Sequence, residues 1–99
     1  MAIGASELAK TVGVSYKQID HWSRCGYIHP QNPDPGSGIR RSYSDMEAAR
    51  VLVFAALSHL GVTPSGAHTM VELGWFDDEG AFHTELHVRK LIVRIEVGP

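Results

Sequence analysis

A single cysteine, Cys25, leaves this 99-residue chain with no internal disulfide and no thiolate zinc site of its own. A reducing cytosol fits that composition. No stretch approaches the roughly 18 consecutive apolar residues of a transmembrane helix, so no membrane span is expected. The start, MAIGASELAK, lacks a basic region ahead of a long apolar run and is not read as a secretory leader. Internal repeats and low-complexity tracts are also missing. So are a phosphate-cradling glycine loop, a serine nucleophile elbow and a paired-histidine metal motif. Gly36-Ser37-Gly38 is too short, and follows too much proline, to serve as a nucleotide loop. No catalytic residue, cofactor or metal is expected.

What is present suits a small globular protein. Hydrophobic residues at 43% and charged residues at 20% exclude global disorder. The length fits one domain with a small appendage. A formal net charge of −2 excludes a surface that is positive everywhere, but not a local basic face. Lys10, Lys17, Arg24, Arg40, Arg41 and Arg50 all fall in the first half of the chain, and the acidic run Asp77-Asp78-Glu79 lies far from them.

Residues 6–12 read as a short helix, with Leu8, Ala9 and Val12 at helical spacing and Gly13 as its stop. Ser15 caps a second helix, and Gln18 completes a capping box. Ile19 and Trp22 share one face of that helix, and Lys17, His21 and Arg24 share another. Gly26 ends it. Two short helices joined by a tight turn spell helix-turn-helix. Residues 27–43 hold Pro30, Pro33, Pro35, Gly36 and Gly38, and are read as a two-stranded wing with a long tip, its strands at 27–28 and 39–43.

Ser44 and Glu47 form a second capping box and open a third helix, with Met46, Ala49, Val53, Leu57 and Leu60 as its expected buried stripe and Gly61 as its end. Thr63 caps a fourth helix with Pro64 in its first turn, running to about Leu73 and closed by Gly74. From Phe82 to Val97 apolar and polar residues alternate, the pattern of strands. Two strands turning at Arg89-Lys90 and one long bent strand both satisfy it. The expected architecture is mainly α with a β-wing: a winged helix-turn-helix unit over residues 1–74, then a C-terminal β-element over 75–99.

A helix fits the major groove of duplex DNA when its outer face carries polar side chains. Residues 15–25 offer that face. Lys17 and Arg24 suit phosphates or guanine, Gln18 an adenine edge in competition with its capping role, and Tyr16 the sugar-phosphate backbone. Arg40 and Arg41 on the wing suit a flanking strand or the minor groove. The candidate DNA-binding set is Ser15, Tyr16, Lys17, Gln18, His21, Arg24, Arg40, Arg41 and Tyr43.

The stretch SELAKTVGVSYKQIDHWSRCGYIHP resembles the signature of the mercury-resistance-regulator (MerR) family. In that pattern a Glu-Leu-Ala helix precedes Gly-Val-Ser, then a basic helix with paired aromatics, then Gly, two apolar residues and Pro. GSGIRRSYS resembles the end of the family's wing, with Arg41 two residues before Tyr43-Ser44. The Asp20/Trp22 form with the longer wing is similar to a subgroup found in actinobacteria and their phages. The resemblance implies that Lys17 and its neighbours face the groove and that Arg41 and Tyr43 touch the DNA backbone. Asp20 stands where the family usually has a basic residue, which would repel phosphate or select a cytosine amino group. Full-length relatives continue into a coiled-coil helix and an effector domain, where this sequence has a β-element.

Each candidate also has a plainer reading. Lys17, Arg24, Arg40 and Arg41 can be solvated charges, and Tyr43 can pack at the wing base instead of meeting phosphate. Trp22 is read as core. His83 and His87 flank Glu85 on what reads as a solvated sheet face rather than a metal site. His21 can lend pH dependence, Cys25 is read as a structural thiol, and residues 77–79 as a solvated loop. The resulting expectation is a cytoplasmic, nucleoid-associated regulator of transcription that binds double-stranded DNA, with self-association through residues 82–97. Phage excision control and a protein-interaction adaptor are the alternatives.

Overall fold

A computed structural model describes residues 2–32 and 41–98, with Val88 through its backbone alone. The elements run β1 (Ala2–Gly4), α1 (Ala5–Val12), α2 (Tyr16–Arg24), β2 (Ser42–Ser44), α3 (Asp45–His59), α4 (Pro64–Leu73), β3 (Trp75–Phe76), β4 (Phe82–Val88) and β5 (Leu91–Val97). Gly13 ends α1 in the left-handed region at φ 79°, which a side chain would resist. Ser15 then accepts the Gln18 N–H at 3.1 Å and starts α2. The two helices and their tight turn form the expected helix-turn-helix.

Leu8, Ile19, Trp22, Ile28, Tyr43, Val51, Phe54, Leu57, Ala67 and Val71 build one core. Trp22 meets Phe54 edge-on with centroids 4.8 Å apart, and Tyr27 stacks on the same ring at 5.8 Å. On α3 the expected stripe is only partly right. Val53 and Leu57 are buried, Met46 and Leu60 are exposed, and Val51, Phe54 and Ala55 turn inward instead. This helix is apolar around most of its circumference, so periodicity cannot choose its inner face; packing around Phe54 does. The second capping box is also half right. Ser44 accepts the Glu47 N–H at 3.0 Å, but the nearly buried Glu47 carboxylate accepts the backbone N–H of His29 at 2.9 Å.

The wing departs from expectation in its pairing. Residues 27 and 28 are not a strand, because Ile28 is buried and Tyr27 is stacked into the core. β2 pairs instead with β1, antiparallel, with Ile3 opposite Tyr43. The arm before the tip touches β2 through Gln31 N–H to the Ser42 carbonyl at 2.8 Å and Ser42 N–H to Asn32 Oδ1 at 2.9 Å. The expected tip, the start of the second wing strand and Arg40 lie outside the described residues.

The C-terminal element is a hairpin. β4 and β5 pair antiparallel from Phe82–Val97 to Val88–Leu91, and Arg89 sits at φ 57° in the turn. The single bent strand is thereby excluded. β3, not foreseen, adds a third strand beside β4. Asp77 is no free solvated charge: its Oδ1 accepts the N–H groups of Glu79 and Ala81, both at 2.9 Å, shaping the turn into β4. Phe82 is buried in the core and the Thr84 hydroxyl donates to the Met70 carbonyl at 2.9 Å, so the hairpin root docks on α4. Gly74 permits this, since a Cβ there would lie 2.0 Å from the Phe82 ring.

Candidate nucleic-acid interface

α2 presents one polar, outward side. Tyr16, Lys17, His21 and Arg24 are exposed on it, while Ile19 and Trp22 face the core. Tyr16, Asp20 and Arg24 follow one another at intervals of four, so they form a row along the helix. Arg41, immediately before β2, lies beside that row and forms an ion pair with Asp20. Asp20 also pairs with Arg24 Nε at 2.9 Å. One carboxylate therefore joins the recognition helix to the wing root. The Arg41 hydrogen bond, with the Arg24 and Arg41 charges, outweighs partial desolvation and holds the Asp20 carboxyl below its ordinary value. With a lowered folded-state pKa, the tie is in place at neutral pH and is lost only as the pH falls through that value.

Arg41 and Tyr16 line a cleft of about 510 Å³ with Gly4, Ala5, Ser6 and Glu7 at the start of α1. Gly4 caps α1 with no side-chain hydrogen bond, so no capping side chain takes up the first N–H groups of that helix, whose first residues line this cleft. Backbone N–H groups at a helix start together with an arginine suit a phosphate oxygen. Glu7 sits against that chemistry and limits it.

The other sequence candidates sort by position. Lys17 is exposed on α2. Ser15 and Gln18 line a separate groove with Trp22, Ser58 and His59, and the Ser15 hydroxyl is engaged as the cap. His21 lies 3.6 Å from the Cys25 thiol through Nε2, and Cys25 is exposed. The Arg24 side chain is 71% exposed and that of Arg41 22%. Arg40 lies outside the described residues.

Tyr43 lies in the core. Its relative exposure is 0%. The Ser23 hydroxyl donates to the Ile19 carbonyl at 3.0 Å, so the 2.6 Å bond between Ser23 and Tyr43 uses the tyrosine proton. Burial pushes the Tyr43 phenol up from its ordinary value. A buried hydroxyl with its proton engaged has none to offer a phosphate, and of the two readings left open for Tyr43 the geometry supports packing at the wing base.

The family model described as MerR HTH family regulatory protein matches residues 4–73. The chain belongs to the MerR family. No curated protein matches it at a significant level. As a MerR-family helix-turn-helix protein it is, in general terms, a DNA-binding transcription regulator. The match runs from the end of β1 through α4, and the hairpin lies beyond it. No helix among the described residues is long and apolar enough to cross a membrane.

Two structural features of this MerR-family protein carry little signal in the sequence. Asp20, expected to repel phosphate or select cytosine, instead binds two arginines. Its spacing to Arg24 was visible in the sequence, but its approach to Arg41 was not. The group His29, His68 and Glu72, with Arg50 beside it, also went unforeseen. Only His68 and Glu72, four apart, signal one another along the chain.

Asp20→Asn is expected to free Arg24 and Arg41 and raise affinity for arbitrary duplex DNA by up to about tenfold, a gain of about 1.4 kcal/mol. Filter-binding titration at fixed salt measures it; an unchanged affinity removes Asp20 from the interface, and a weakened one shows that its hold on the wing root outweighs the charge it masks. Tyr43→Phe is expected to lower stability by about 0.5–1.5 kcal/mol through loss of the Ser23 bond. Urea unfolding reads that loss, and DNA affinity is expected to stay level; a drop as large as that of an Arg41 variant would return Tyr43 to the DNA backbone.

Proposed function

We propose that this protein recognises a specific duplex site with α2 in the major groove and the wing root on flanking backbone, and that it regulates transcription from there. The observation that carries the reading is the Asp20 link. It sets Arg41 beside the exposed α2 face, so groove and backbone contacts share one continuous surface. Lys17 and His21 are the base-facing candidates. Tyr16, Arg24 and Arg41 face phosphates, and Arg40 joins them from the wing. On binding, phosphate oxygens take over the arginines that Asp20 holds in the free protein, so part of the attraction is neutralised until DNA arrives. Residues 1–74 form the DNA-reading unit and residues 75–99 the appendage, and the protein works on the cytoplasmic nucleoid.

The appendage serves self-association. Phe82 and Thr84 are buried on one face of the hairpin. The register places Val93 and Leu91 farther along that same face, where they are 36% and 64% exposed. An apolar sheet face that runs past its own core suits a second copy of the same surface. Among the described residues β5 also forms an outer edge of the three-stranded sheet. Side-by-side copies on adjacent half-sites gain from such a contact.

Affinity is expected to fall steeply as salt rises, and Arg41→Ala to weaken all sequences while reducing the log–log salt slope by about one. Lys17→Ala is expected to relax preference at particular base pairs, a change of about 1–3 kcal/mol each. A gel-shift series that neither substitution moves supports the adaptor role instead. Selection of bound genomic fragments separates promoter sites from phage attachment sites, and the latter outcome assigns excision control. Leu91→Lys combined with Val93→Lys is expected to shift sedimentation toward monomer without unfolding; a wild-type chain that is monomeric at high concentration and binds without cooperativity rules out the hairpin contact.

A further inference from the structure

We propose that His29, His68 and Glu72 form a binding site for a divalent transition-metal ion of the zinc type, joining α4 to the segment that follows α2. Their ligand atoms all lie within 4.8 Å of one another. His29 Nε2 is 3.3 Å from Glu72 Oε1, and His68 Nδ1 is 3.9 Å from the same oxygen. Tetrahedral zinc with bonds near 2.0–2.1 Å holds its ligand atoms about 3.3 Å apart. One edge of that tetrahedron already has its length, and side-chain rotation closes the others. All three side chains are partly exposed, so a fourth position stays open to water.

The backbone prepares the group from two sides. His68 and Glu72 are four apart on α4 and share a face of the helix. His29 comes from the irregular segment after α2, where the Glu47 carboxylate holds its backbone N–H at 2.9 Å. Two imidazoles and one carboxylate favour zinc, nickel or cobalt over magnesium or calcium, which take oxygen ligands in larger number.

Arg50 is the competitor. Its Nη2 lies 3.1 Å from Glu72 Oε1, where it supplies the cation in the metal-free protein. An incoming ion must displace it. His68 Nδ1 also lies 3.3 Å from the Tyr27 carbonyl and has to give up that contact to ligate through this nitrogen. Both features set a moderate affinity and make it adjustable by substitution. The site belongs to this chain's own residues and stands whether or not the DNA reading holds.

The test uses the full chain, stripped with chelator and titrated with Zn²⁺ by calorimetry and with Co²⁺ by visible absorption. One ion per chain is expected. His68→Ala and Glu72→Gln are expected to weaken binding by about a hundredfold or more, since even residues that only support a ligand account for 10–100-fold. Arg50→Gln is expected to tighten it several-fold, a gain that disrupted folding does not produce, and circular dichroism checks the fold of each variant. Cys25→Ser is expected to retain binding, which separates this group from the His21–Cys25 pair. Absence of saturable uptake, uptake that survives His68→Ala, or loss on Cys25→Ser alone overturns the proposal.

Discussion

Two side chains of the wing root, Arg41 and Tyr43, hold that root against α2 at two points. Arg41 pairs with Asp20, and Tyr43 bonds Ser23 three residues farther along the same helix. Tyr43 is at the same time opposite Ile3 in the β1–β2 ladder and fully buried in the core. A buried tyrosine bonded at its tip contributes both apolar area and direction, and direction is what a DNA-reading surface requires. Were the root to swing, the exposed face of α2 and the basic wing would no longer address one duplex. The cleft at the start of α1 depends on the same clamp, because β1 runs straight into that helix.

The electrostatics of the interface follow from this arrangement. A chain of net charge −2 cannot rely on a general positive field to find nucleic acid. Arg24 and Arg41 are instead gathered and partly neutralised by one carboxylate. On the proposed reading, DNA contact exchanges Asp20 for phosphate, an exchange between charge-assisted bonds of similar strength, so affinity arising this way would depend more on fit than on charge count.

The β-element lies beyond the family match, and the His29–His68–Glu72 group lies within it. The hairpin is anchored through Phe82, packed where Gly74 leaves room, and through the Thr84 bond to α4, while its far end keeps Leu91 and Val93 uncovered. The histidine group lies where α4 meets the segment leading into the wing. Both therefore touch α4, the last element of the matched stretch.

Local signals were legible in the sequence. Ser15, Ser44, Thr63 and Gly13 set helix starts and a stop because capping and left-handed geometry act within three or four residues. The alternation through Phe82–Val97, interrupted around Arg89–Ile92, marked strands for the same short-range reason. The helix-turn-helix and the exposed α2 face of Lys17, His21 and Arg24 followed from spacing alone. Contacts between distant residues did not. The partner of β2 was β1 rather than residues 27–28, the inner face of the uniformly apolar α3 was set by packing on Phe54, and Tyr43 went to the core. Asp20 meeting Arg41, and His29 meeting Glu72, join positions 21 and 43 residues apart. Which of several chemically suitable partners meets which is decided by how the helices pack, and no local pattern along the chain carries that information.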